Sequence, residues 1–127
     1  PKMGRLRGLE IVLVDDEPES RKMVAAVLRS AGANVLPLES ALAALDVIDQ
    51  HRPTAVITDI AMPEMDGYTF ARRLRERPYG AALKIVALSA FPARAEDPGD
   101  FDAWLAKPID PFRLIEEIAR VSEQVGA

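Results

Sequence analysis

Five short apolar runs, each closed by a polar residue and separated by segments of helical period, constrain this chain more than any other feature. Residues 9–14 (LEIVLV) form one such run, as a strand buried on both faces of a parallel sheet would. Similar runs follow at 33–38, 54–58 and 83–88 (LKIVAL), with a short fifth at 104–106. After the first, Pro18 suits the opening turn of a helix with Met23, Val24, Val27, Leu28 and Ala31 inward, and Gly32 ends it. Ser40 can cap a second helix carrying Leu42, Leu45 and Ile48 on one face. Asp66 opens a third with Phe70, Ala71 and Leu74 inward. Asp110 and Pro111 supply the cap and first turn of a last one with Phe112, Ile115, Ile118 and Val125 inward.

Strands alternating with helices make βαβ units with right-handed crossovers. The expected fold is therefore α/β, a single doubly wound domain with a five-stranded parallel sheet of flavodoxin-like order 2-1-3-4-5 and helices on both faces. Residues 9–125 make this domain and residues 1–8 read as an N-terminal extension or linker. Apolar residues are 49% and charged residues 28%, a balance that permits a core and disfavours disorder. The chain has no cysteine, which excludes disulfides, thiolate metal sites and thiol catalysis. No apolar run approaches the ~20 residues that span a bilayer, and no leader pattern opens the chain. A cytoplasmic domain, without a membrane partner, is expected. The net charge of −4 and the lack of a basic stripe with interleaved aromatics argue against nucleic-acid binding. Arg72, Arg73, Arg75 and Arg77, with Glu76 among them, read as a solvated helix surface.

In such sheets ligands bind beyond the carboxyl ends of the strands. There the first run ends in Asp15 and Asp16, the third in Asp59, the fourth in Ser89 and the fifth in Lys107. Taken singly, each has a plainer explanation: adjacent aspartates complement a helix dipole, and an aspartate or serine ends many strands in a turn. Together they should converge. Carboxylates 4 Å apart repel by about 4 kcal/mol at an effective dielectric near 20, and a divalent cation removes that conflict. All-oxygen ligands favour magnesium, or manganese. A lysine and a hydroxyl opposite the acids supply what a transferred oxyanion needs. The set reads as a phosphoryl site.

The segments VLVDDEP (residues 12–18), TDIAMPEMDGY (58–68), ALSA (87–90) and WLAKPID (104–110) resemble the receiver (CheY-like) domain of two-component response regulators. All four occur in order, and the likeness runs from about Leu9 to Val121. The resemblance implies a phospho-accepting switch in a two-component phosphorelay. Asp59 would take a phosphoryl group from a phosphohistidine, Asp16 would bind the metal directly, and Asp15 would act mainly through a water. Ala61 would offer its backbone carbonyl to the metal. Lys107 and the Ser89 hydroxyl would contact phosphoryl oxygens, and a cis Lys107–Pro108 bond would aim the lysine inward. Met62, Pro63 and Gly67 would shape the loop after Asp59, with Gly67 taking a torsion other residues resist. The domain would catalyse its own phosphotransfer and slow autodephosphorylation without being a turnover enzyme.

The donor must be external. His51, the only histidine, reads as a surface loop residue, and no glycine-rich phosphate loop is present. A histidine kinase, a phosphotransfer domain or a small phosphodonor fits. Homodimerisation, a downstream protein or the rest of a parent chain are the other expected partners. The opening residues look most like receivers fused to hybrid sensor histidine kinases, so the chain reads as one excised from such a parent rather than a stand-alone receiver. Two departures from the family stand out. Trp104 occupies a place where Tyr or Phe is usual, which predicts that it stays outward or anchors a partner. The stretch between Ser89 and Lys107 carries Pro92, Pro98 and Gly99, so the usual fourth helix should be short or missing, with at best a turn or two over residues 93–97. A phosphatase of the haloacid-dehalogenase kind would want an acid where Ala61 stands. A binding-only pseudo-receiver would usually lack an acid or the lysine.

Overall fold

The computed structural model describes residues 4–92 and 99–123. Five strands, β1 (Glu10–Val14), β2 (Asn34–Leu38), β3 (Ala55–Asp59), β4 (Lys84–Ser89) and β5 (Ala103–Ala106), form one parallel sheet in the order β2-β1-β3-β4-β5. Helices α1 (Pro18–Ser30), α2 (Ala41–His51), α3 (Gly67–Arg75) and α4 (Pro111–Glu123) cover its two faces. The continuous apolar character of β1 follows from this layering. Ile11 and Leu13 enter a core with Val24 and Leu28 of α1 and Leu114 and Ile118 of α4. Val12 and Val14 point the other way, to Ile48 of α2 and Phe70 and Leu74 of α3.

Side-chain caps set the helix starts. The Ser40 hydroxyl accepts from the Ala43 amide and Asp66 from that of Thr69. Asp110 accepts from the Phe112 amide, and Glu17, which no cap pattern marks, accepts from Ser20. Gly32 follows the C-cap of α1 at φ +103, a left-handed torsion that favours glycine, and a Cβ there would lie 3.2 Å from the Arg7 backbone. That approach exists because residues 4–8 pack on the domain. Leu6 is fully buried, its amide bonds the Ala31 carbonyl at 2.8 Å, and Arg5 pairs with Glu116 and Glu123 of α4.

Several expectations are corrected. Met23, Leu42 and Phe112 are 39%, 45% and 65% exposed rather than inward. Each flanks a narrower buried stripe, such as Val24, Ala25 and Leu28 on α1, about 100° away around the helix. Arg75 is not a solvated side chain: it is half-buried and donates to the carbonyls of Asp100, Gly80 and Leu83 and to the Asp102 carboxylate at 3.0 Å. Four of these bonds go to carbonyls just ahead of β4 and β5 and the fifth to the Asp102 carboxylate, a use of all five guanidinium donors. Arg72 and Arg73 are exposed, while Arg77 reaches the Leu45 carbonyl and Asp49. Among the described residues between Ser89 and β5 there is no helix; residues 93–97 and Val125 lie outside the described residues. No described helix is long and apolar enough to cross a membrane.

Candidate functional site

The sheet order places β1, β3, β4 and β5 side by side, and parallel register aligns their carboxyl ends: Val14 pairs with Thr58, Asp59 with Leu88, and Ser89 with Ala106. Asp15 and Asp16 follow β1, Asp59 and Ser89 end β3 and β4, and Lys107 follows β5. One carboxylate oxygen from each of Asp15, Asp16 and Asp59 lies within 4.8 Å of the other two. Asp15 and Asp59 are buried, and Asp16 is exposed at the rim. The Lys107 ammonium stands 3.3 Å from Asp59 Oδ2 and 3.5 Å from Asp15 Oδ2, and its bond to Pro108 is cis. Ser89 is buried, and its Oγ accepts from the Phe91 amide at 3.0 Å. Ala61 is exposed in the β3–α3 loop.

The charges here are not balanced. Asp15 Oδ1 accepts from the Glu17 amide, but Oδ2 is buried without a hydrogen-bond partner, although the Lys107 ammonium is near. Such a group costs about 1–3 kcal/mol, more when charged. Burial pushes the Asp59 carboxyl above the usual aspartate value of 3.8; the Lys107 ammonium draws it down, Asp15 raises it again, and the Ile60 amide at 2.7 Å acts with Lys107 to lower it. Three acids facing one ammonium make a natural cradle for a hard divalent cation with oxygen ligands.

Gly67 corrects an expectation. It has no left-handed torsion; it is the first residue of α3, and a Cβ there would lie 2.5 Å from the Asp59 carbonyl and 2.7 Å from Ile60 Cδ1. The residue is needed for space, letting α3 start against the strand end that carries Asp59. The left-handed residue in this loop is Glu64, at φ 70. Trp104 is half-exposed in an edge cluster, its ring 5.5 Å from Phe101 and 5.9 Å from Tyr68, with Nε1 donating to the Phe91 carbonyl at 3.0 Å. His51 is exposed at the end of α2, at the amino end of the sheet near Pro53 and Asn34. Sequence reasoning missed Arg21, whose guanidinium donates to the Asp15 carbonyl at 2.7 Å. Nothing in the pattern separates it from Lys22 beside it.

The response regulator receiver domain family model matches residues 11–119. The chain belongs to that family. This receiver domain is 38% identical over 118 residues to a 14.6 kDa protein of Leptolyngbya boryana encoded in the sodA1 3′ region, covering 89% of each chain. It is also 38% identical over 117 residues to response regulator Rre1 of Synechocystis sp., covering 88% of this chain and half of Rre1. Among solved structures, the chemotaxis response regulator CheY4 of Vibrio cholerae superposes with a TM-score of 0.80 at 28% identity, covering 89% of this chain and 98% of that one. A sensor protein of Polaromonas sp. JS666 gives a TM-score of 0.86 at 26% identity, covering 93% and 98%. Membership of this family places the receiver domain in two-component phosphorelay signalling.

Proposed function

We propose that this receiver domain is a phospho-accepting switch whose modified residue is Asp59. The observation that carries the reading is the Lys107 ammonium 3.3 Å from Asp59 within an acid trio that already repels itself. Asp15, Asp16, Asp59 and the Ala61 carbonyl would hold magnesium, and the orphaned Asp15 Oδ2 supports a cation there, reached directly or through a water. Bound magnesium, or manganese, supplies positive charge beside the phosphoryl oxygens. An Asp59 carboxylate oxygen attacks the phosphorus of a phosphohistidine. The new O–P bond forms as the N–P bond breaks, and the electron pair and a proton end on the departing imidazole. Lys107 neutralises one phosphoryl oxygen and the Ser89 hydroxyl, whose oxygen accepts from the Phe91 amide, donates its proton to another. Water later attacks the same phosphorus, so the acyl phosphate is lost slowly.

The donor is a histidine kinase or phosphotransfer domain. The new charge of about −2 biases the segment after Ser89, which a protein partner, a second copy or the remainder of a parent chain reads. Receiver boundaries at residues 9–125, a cytoplasmic setting and a hybrid sensor histidine kinase parent complete the reading; the likeness to a sensor protein supports the last. Trp104 lies beside the Ser89–Phe91 turn and tests the proposal by its fluorescence. Magnesium and then beryllofluoride should each change the emission of wild type, and Asp59→Asn should lose the second change. A beryllofluoride response that survives Asp59→Asn contradicts the assignment.

A further inference from the structure

The β1–α1 loop carries two of the three acids, and its bonds hold them unequally. The Asp15 amide donates to the Leu38 carbonyl, Asp15 Oδ1 accepts from the Glu17 amide, and Glu17 caps α1 through Ser20. Asp16, between them, is exposed, and no bond to a described residue holds its side chain. Its carboxylate is placed only by how firmly its neighbours are fixed. Among the described residues, the side chain that reaches back from α1 to fix them is Arg21, which donates to the Asp15 carbonyl at 2.7 Å.

That choice of acceptor matters. A guanidinium beside three carboxylates would ordinarily take one in a bidentate pair and so compete with a metal for it. Here Arg21 makes no ion pair among the described residues and spends a donor on a backbone oxygen. Among the described residues Lys107 is the one cationic side chain paired with the carboxylates of Asp15 and Asp59, whose Oδ1 atoms accept from the Glu17 and Ile60 amides. We infer that Arg21 is a positioning residue for the cation site: by gripping the Asp15 carbonyl it aims Asp16 at the pocket without itself occupying a carboxylate oxygen. This inference rests on the proposed magnesium site and assigns a residue that sets its affinity. Losing a partner behind a metal ligand typically costs about 10–100-fold in affinity.

The test is magnesium titration by calorimetry on wild type, Arg21→Ala, Arg21→Lys and Asp16→Asn, with thermal unfolding of each without the ion. Arg21→Ala should raise the magnesium Kd about tenfold. Its phosphorylation rate from acetyl phosphate should stay within about twofold of wild type once magnesium saturates. Arg21→Lys, whose longer stem brings a donor toward the same carbonyl, should recover most of the affinity. An unchanged or tighter Kd in Arg21→Ala overturns the inference. A Lys variant as weak as the Ala variant also overturns it, because a donor to the Asp15 carbonyl then does not set the affinity; so does a loss that merely follows unfolding. If wild type binds no magnesium, or binds it equally after Asp16→Asn, the underlying site assignment falls and the inference with it.

Discussion

Lys107→Met should slow phosphorylation by acetyl phosphate about 10²–10³-fold at saturating magnesium, the loss seen when one preorganised donor to a developing oxyanion is removed. Methionine keeps the length and apolar stem of lysine and deletes only the ammonium that stands 3.3 Å from Asp59 and 3.5 Å from Asp15. Two consequences should separate in sign. The rate should fall, because the phosphoryl oxygens lose a cation and Asp59 loses the charge that draws its ionisation downward. Magnesium affinity should hold or improve, because the acid trio no longer has a resident cation competing for it. A phosphorylation rate within a few-fold of wild type contradicts the role given to the lysine. Parallel loss of rate and magnesium binding would instead mark a collapsed pocket.

The second large effect is on stability. Asp59→Asn should raise the melting temperature in the absence of divalent ions by roughly 5 °C, corresponding to about 1–2 kcal/mol. Asp59 is only 8% exposed, and burial is the leading cause that raises its carboxyl above 3.8. For an acid so shifted, the folded state holds the proton more tightly than the unfolded chain. The group's penalty is absent below about pH 3.8, grows as pH rises through the folded value, and is complete above it. The amide removes that penalty while its Oδ1 still accepts the Ile60 amide, and Lys107 retains Asp15 as a partner. Thermal melts of the two proteins across pH should converge as pH falls toward the unfolded value. Magnesium should narrow the gap at neutral pH by stabilising wild type more. A less stable Asn variant at neutral pH would show that the pair with Lys107 outweighs burial.

The sheet was legible because a parallel strand covered on both faces cannot alternate. The runs at 9–14 and 83–88 therefore stand out, and Ile11 and Val12 do enter opposite cores. The convergence of Asp15, Asp16, Asp59 and Lys107 followed from knowing which end of each run faces the crevice. What stayed hidden depends on distances between segments. Gly67 looks like any loop glycine until the Asp59 carbonyl is seen where its Cβ would be. Arg75 sits among solvated arginines in the sequence, and only the entries of β4 and β5 reveal the carbonyls it binds. Arg21 is silent for the same reason. Met23, Leu42 and Phe112 share their helices' period but flank the buried stripe, a difference of one residue's turn that periodicity does not resolve.

Intact mass after incubation with magnesium and acetyl phosphate tests the central claim most directly. Wild type should gain the mass of one phosphoryl group, lose it again after neutral hydroxylamine as an acyl phosphate must, and gain nothing when magnesium is chelated. Asp59→Asn, folded by the same melts, should gain nothing under any condition. A full magnesium-dependent phosphoryl adduct on Asp59→Asn, or none on folded wild type, would contradict the account.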